Sequence, residues 1–320
     1  MPQLLSYIKG NSMKRKTKYR IKNWSAYNKA LVNRGSLTIW FDKKSIDSWY
    51  NKKTTGKKGR PIVYSDLAIQ CCLTLKMIYH LPLRATQGFV ASLLELLQLP
   101  LSAPDYSLLS IREKTLPLEL PKNRKNNERM HLVVDSTGLK LYGEGEWKVR
   151  KHGADKRRTW LKLHLGINEA THDIEACILT GDDVHDSEAL PAMLNQIDAP
   201  IDQVSGDGAY DNHSSYQAAI NSGGDPCFPP RKDAVRNKPT DEAWRLRNQA
   251  VSQVHYHDLN YWKKKHNYHR RSLAETAMFR FKQLLGDKVQ ARTLQRQAKE
   301  IALKCIAINK MNQLGMPAYS

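Results

Sequence analysis

The sequence predicts an α/β domain, a mixed sheet flanked by helices, with a basic and mostly helical region ahead of it. Three observations lead there. Positive charge is concentrated in the first sixty residues. From Tyr64 to about Lys114, apolar residues recur at the three-and-four spacing of helices. Beyond a polar stretch at 120–129, short apolar or alternating runs interleave with helical ones, as in sheets that carry helices between their strands.

The chain of 320 residues has room for about two domains, and 41% hydrophobic content excludes wholesale disorder. Its net charge is +20. Residues 1–60 hold sixteen Lys and Arg against Asp42 and Asp47, a net +14, and the other 260 residues carry only +6. Nucleic acid is the most common partner for such a cationic block, and an acidic membrane surface is the competing one. Lys14, Arg15, Lys16, Lys18, Arg20 and Lys22, within and beside KRKTKYRIK, are the candidate contacts. Tyr19, Trp24, Tyr27, Trp40, Phe41, Trp49 and Tyr50 lie among the basic residues, so a small ordered element is expected here. No run approaches the roughly 18 apolar residues of a membrane span, and no signal-peptide core follows the start. Cys71, Cys72, Cys177, Cys227 and Cys305 include no CxxC pair, which predicts a reducing cytoplasm, buried free thiols and no structural zinc. His255, His257, His266 and His269 lack cysteine partners and are expected to be solvated or to face phosphate.

Ser65 is expected to cap a helix through LAIQCCLTLKMIYH, and Pro82 to open a second through RATQGFVASLLELL. Ser102, with Pro104 just inside, is expected to open a third, DYSLLSIREK. These three fit a helix-turn-helix or a plain three-helix connector. In the first case the last helix presents Tyr106, Ser107, Ser110, Arg112 and Lys114. The polar, Pro-containing 120–129 reads as a linker, giving a basic segment 1–60, a helical segment 61–119 and an α/β domain 130–320.

In the last, HLVVD (131–135) reads as a short buried strand. WLKLHLGI reads as a strand with one wet face, because Lys162 and His164 alternate with leucines. The turn NEATH leads to a partner strand, DIEACILT. Ser187 starts a helix, SEALPAMLNQI. A weaker strand ends at 205–207, followed by a helix at about 213–221 and a short strand near Cys227 and Phe228. Residues 229–265 read as an irregular insertion. NYHRRSLAETAMFRFKQLLG reads as one helix with Leu273, Ala277, Phe281 and Leu284 inward, and Leu294 to Ile308 as an amphipathic C-terminal helix. On the former, Tyr268, Arg271, Glu275 and Lys282 are expected within roughly 60° of one another, opposite the apolar stripe.

Asp135 in VVDSTG and Asp207 in SGDGAY are expected at strand ends, where small residues and glycine turn the chain. If the first and fourth strands are parallel neighbours, about 4.8 Å apart, the two aspartates meet at the carboxyl edge where open sheets bind ligands. A helix beside them could deliver Glu275. Two unit charges about 4 Å apart repel by about 4 kcal/mol at an effective dielectric near 20, so three carboxylates need protons or cations. Oxygen-only donors favour Mg²⁺ or Mn²⁺, and a pair of such ions catalyses in-line attack at phosphorus. Arg271 and Lys282 could then hold DNA phosphates, and Tyr268 could bond or stack. Asp182, Asp183, His185 and Asp186 could sit behind such ligands or cap the following helix. Trp244 and Trp262 could stack on an unpaired base or fill core.

The spacing Tyr268-x2-Arg271-x3-Glu275-x6-Lys282 resembles the Y-R-E-K signature of bacterial insertion-sequence transposases of the D-D-E type, and VVDSTGLK and SGDGAYD resemble their two aspartate motifs. NWSAYNKALVNRGSLTIWF and RRSLAETAMFRFK are most similar to family five of these enzymes. The resemblance implies a ribonuclease-H-like catalytic core with Mg²⁺, or Mn²⁺ in its stead, at Asp135, Asp207 and Glu275. It implies recognition of terminal inverted repeats by the N-terminal region, hydrolytic release of 3′-hydroxyls and their direct attack on target DNA. It also implies a homodimer in the synaptic complex and a nucleoid-associated protein. A metal-dependent DNA nuclease without strand transfer and a non-catalytic DNA-binding repressor are the alternatives. Removal of residues 1–60 is expected to abolish end binding.

Overall fold

The computed structural model describes residues 20–52, 61–121, 128–141 and 160–319. Lys14, Arg15, Lys16 and Lys18 lie outside them, as does most of the linker at 120–129.

Three short helices come first: α1 (Trp24–Asn33), α2 (Leu37–Trp40) and α3 (Lys43–Asp47), the last capped by Asp42 accepting from Ser45 N at 2.9 Å. Trp40, Phe41 and Trp49 are buried, and the two indole N–H groups donate to the carbonyls of Arg34 and Ser102. Three of these aromatics are therefore core rather than DNA-facing surface, while Trp24 and Tyr50 are exposed. The chain end closes over this region: Asn23 bonds Met316 O and Ala318 N through its side chain.

Next come α4 (Asp66–Ile78), α5 (Leu83–Leu96) and α6 (Tyr106–Thr115). Ser65 caps α4, accepting from Ala68 N at 3.1 Å, and Pro82 precedes α5 as expected. Asp105, not Ser102, caps α6, because the Ser102 hydroxyl is engaged with the phenols of Tyr64 and Tyr50.

The sheet holds β1 (Met130–Leu141), β2 (Trp160–Asn168), β3 (Ile174–Gly181), β4 (Ile201–Ser205), β5 (Asp225–Cys227) and β6 (Lys288–Val289). Its order is β3-β2-β1-β4-β5, with β6 against the far end of β1. β1, β2 and β3 are antiparallel; β4 runs parallel to β1 and β5 parallel to β4. This mixed sheet flanked by helices is the predicted class, ribonuclease-H-like. β1 is longer than HLVVD because β2 pairs with it as far as Lys140.

Helices α7 (Asp186–Leu194), α8 (His213–Asn221), α9 (Glu242–Tyr256), α10 (Leu259–Lys265), α11 (Ser272–Leu285) and α12 (Leu294–Gln313) complete the chain. The two faces of β1 follow its alternation. Met130, Leu132 and Val134 join a cluster with residues of α7 and α8. Val133 and Leu139 join a second, which α4, α11, α12 and the N-terminal tryptophans share. One core thus runs from the N-terminal helices to the sheet. His164 departs from the expected wet face: it is fully buried, because the start of α7 covers that side of β2. Asn309 on α12 bonds both the N–H and C=O of Ile174, satisfying backbone of the outer strand β3. Gly286 ends α11 at φ 81°, a conformation that favours glycine.

Candidate active site

The last pair of the β1–β4 ladder is Val133 with Ser205. Two residues on, one strand alternation, come Asp135 and Asp207, on the sheet face that α11 covers. Asp207 follows β4 directly, and its Oδ1 accepts from Ala209 N at 2.8 Å, capping a 3-10 turn, Gly208–Tyr210. Asp135 is not at a strand end. It lies within β1, opposite Leu165 of β2, and gains its opening because β4 has ended beside it. Its Oδ1 accepts from Ser136 N at 2.8 Å. Gly206 makes the turn possible by closeness: a Cβ there would stand 2.5 Å from Tyr210 Cδ2.

The expected single helix is a 3-10 turn, Tyr268–Arg271, followed by α11. Asn267 at φ 52° and the tighter turn break the 100° phase, so Tyr268 does not share the polar face. It is buried beside Cys227, Ala250 and Trp262, with ring centroids of Trp262 and Tyr268 5.6 Å apart. Burial, with Asp207 and Asp135 nearby, pushes its phenol up to about 12. Ala274, Ala277, Met278, Phe281 and Leu285 form the buried stripe of α11, leaving Glu275 exposed and Lys282 half-buried two turns further on.

Arg271 connects the elements. Its Nη1 donates to Asp135 Oδ2 at 3.0 Å, and its Nη2 donates to Glu275 Oε1. Burial holds the Asp135 carboxyl above its usual value, with Arg271 opposing and the charges of Asp207 and Glu275 adding to the rise. For Arg271, burial works downward, but Tyr268, Asp135, Glu275 and Asp207 outweigh it and hold the guanidinium more firmly charged. Among the described residues no three His, Cys, Asp or Glu side chains stand close enough to hold a metal ion. The donor chemistry nonetheless fits a hard divalent cation: all three acids offer oxygen, and a cationic group already sits between two of them.

A family model described as "Transposase DDE domain" matches residues 126–310, more than half of the chain, and a second with the same description matches residues 32–144. The chain belongs to the DDE transposases. Transposases of this family act on DNA and generally use divalent metals such as Mg²⁺.

In this DDE transposase the turn after Asp207 is held by residues that the sequence did not single out. Asp211 accepts from Arg247 of α9 and from Arg231 N, while the Arg231 side chain bonds the carbonyls of Gly208 and Ala209. The 229–265 segment is thus tied into the site; it is irregular as far as Asp241, as expected, and then forms α9 and α10. No local pattern signals this, since Arg247 and Asp211 are 36 positions apart. Trp262 is core, and Trp244 packs beside His213 at 5.0 Å. Asp186 lies in the first turn of α7 and meets Lys162 at 3.3 Å, on the sheet face away from Asp135; neither it nor Ser187 caps the helix. Arg112 is engaged internally with Asp66 at 2.6 Å and with Tyr64 O. Arg20 and Lys22 are exposed. Among the described residues no helix is long and apolar enough to cross a membrane.

Proposed function

We propose that this chain is an insertion-sequence transposase of family five that binds terminal inverted repeats, cleaves the element ends to free 3′-hydroxyls and joins them to target DNA. The observation carrying this reading is the matched register of Asp135 and Asp207 beyond the parallel β1–β4 ladder, with Glu275 brought over them by α11 through Arg271.

In this reading Asp135, Asp207 and Glu275 hold Mg²⁺ or Mn²⁺. When bound, such ions activate the attacking oxygen and stabilise the leaving one in an in-line displacement at phosphorus. Asp135 and Asp207 are the rigid part of the site, one within a strand paired on its β2 side and one locked to its own turn. Glu275 lies on an exposed helix face, where its carboxylate accepts from Arg271. Lys282 and Arg271 bind phosphates along α11, Arg271 through its planar fork. Tyr268, being buried, walls the site and positions the Asn267–Arg271 turn. Lys14, Arg15, Lys16, Lys18, Arg20 and Lys22 supply phosphate contacts, with two copies of the chain joining two ends.

Incubation with an end duplex bearing a 3′-hydroxyl, target DNA and Mg²⁺ tests the reading. Joined product is expected. Hydrolysis without joining would mark a nuclease, and binding without Mg²⁺-dependent cleavage a repressor.

A further inference from the structure

Arg271 stands where a cation belongs. One guanidinium spans a carboxylate on β1 and another on α11, and the charge of Asp207 acts on it as well. Those two carboxylates are the hydrogen-bond partners of its fork. A guanidinium between two carboxylates is a stand-in for an ion: the spot selects positive charge and offers oxygen only.

We propose that Arg271 is a resident counter-ion that has to leave before a divalent cation can bind Asp135 and Glu275, and that on leaving it turns to the DNA phosphates. This rests on reading Asp135, Asp207 and Glu275 as metal ligands. A dication beside a guanidinium at the same oxygens meets twice the repulsion of two unit charges at equal distance, so the two occupants exclude each other. Arg271 ends the 3-10 turn with its side chain 21% exposed, beside a Glu275 side chain that is 58% exposed. A phosphate offers the same fork-matching pair of oxygens as the carboxylates it gives up. DNA therefore draws the arginine off the acids, and the metal keeps it off. Because linkage is reciprocal, each ligand tightens the other. Without DNA the carboxylates stay paired with the arginine, and the site resists loading.

Mn²⁺ titration of the full chain, followed by the electron paramagnetic resonance signal of free Mn²⁺, tests this without any activity readout. Arg271→Gln is expected to bind Mn²⁺ about tenfold more tightly than the wild type in the absence of DNA, a moderate coupling between competing ligands. Arg271→Lys keeps the charge and is expected to stay close to the wild type. A duplex oligonucleotide is expected to tighten Mn²⁺ binding in the wild type but not in Arg271→Gln. Asp135→Asn is expected to weaken it in every background. If Arg271→Gln binds no more tightly while Asp135→Asn still weakens binding, the counter-ion role is wrong and the metal-ligand reading stands. A gain in Arg271→Lys equal to that in Arg271→Gln also overturns the counter-ion role. If Asp135→Asn binds Mn²⁺ like the wild type, both ideas fall together.

Discussion

Arg247 grips Asp211 through two hydrogen bonds, Nε to Oδ1 at 2.8 Å and Nη2 to Oδ2 at 3.1 Å, and both side chains are buried. The pair joins α9 to the loop that follows Asp207, four residues from that carboxylate. Arg247 Nη1 also donates to Val235 O and Asn237 Oδ1, so the guanidinium makes four hydrogen bonds with its five N–H groups. Removing Arg247 takes the cationic partner from the buried Asp211 carboxylate, which keeps its bond from Arg231 N. Arg247→Ala is therefore expected to cost about 3–5 kcal/mol of stability, measured by urea unfolding. A loss within about 1 kcal/mol would mean that water replaces the arginine at little cost.

Much of this arrangement is legible in the sequence, for identifiable reasons. Alternating leucines announce β2 and the run HLVVD (131–135) announces β1, whereas the parallel adjacency of β1 and β4 enters from the sequence only as a condition for the two aspartates to meet, and the ladder fulfils it. The missed parts share a cause, in that polar side chains occupy buried positions. The inward stripe of α9 is Ala243, Arg247, Ala250 and Val251, which an apolar count does not register because its centre is an arginine. His164 alternates like a solvent residue yet lies under α7. The phase break at Asn267, which turns Tyr268 inward, depends on a left-handed backbone that asparagine permits but does not announce.

Glu275→Ala is expected to reduce Mg²⁺-dependent strand cleavage by about 10²–10³-fold or more, the scale of losing one electrostatic partner of a transition state. End binding is expected to remain nearly intact, because the glutamate itself repels phosphate. Gel-shift and cleavage assays on one preparation separate the two effects. Abolished binding would point to a structural role for the Glu275–Arg271 pair.

Gly206 tests the turn between β4 and Asp207. A methyl group would stand 2.5 Å from the buried Tyr210 ring, which in turn packs on Phe228 with centroids 5.7 Å apart. Neither ring has room to retreat. Gly206→Ala is expected to cost about 1–3 kcal/mol by overpacking and to displace Asp207 enough to lower cleavage. Unchanged thermal stability together with unchanged cleavage would show that the loop adapts.

Acid sensitivity follows from three histidines. His131, His164 and His172 are each held below 6.5, the ordinary imidazole value, chiefly by burial; Glu169 or Asp186 partly opposes this. A histidine depressed in the folded state takes up its proton more readily when unfolded. Stability therefore falls as pH drops below about 6.5 and is fully present above it. Comparing urea midpoints near pH 7.5 and near pH 5.5 measures the effect. His164→Gln, which keeps a partner for Thr180 Oγ1, is expected to flatten the dependence.

Deleting residues 1–60 cannot isolate DNA binding, because Trp40, Phe41 and Trp49 belong to the core that also holds the sheet. The cut has to fall before Arg20. Residues 1–19 carry Lys9, Lys14, Arg15, Lys16 and Lys18 and no acid, so their removal takes away charge without taking away those tryptophans. Every phosphate that the shortened chain leaves unneutralised makes the slope of log affinity against log salt shallower by about 0.9 for duplex DNA. The shortened chain is expected to unfold at the same urea concentration as the full one, to bind end DNA more weakly and to show a shallower salt dependence. Fluorescence anisotropy across a salt series reads both affinity and slope. An unchanged slope would move DNA binding off the N-terminal block and onto the folded surface, with Lys282 and the exposed Lys22 as the next residues to replace.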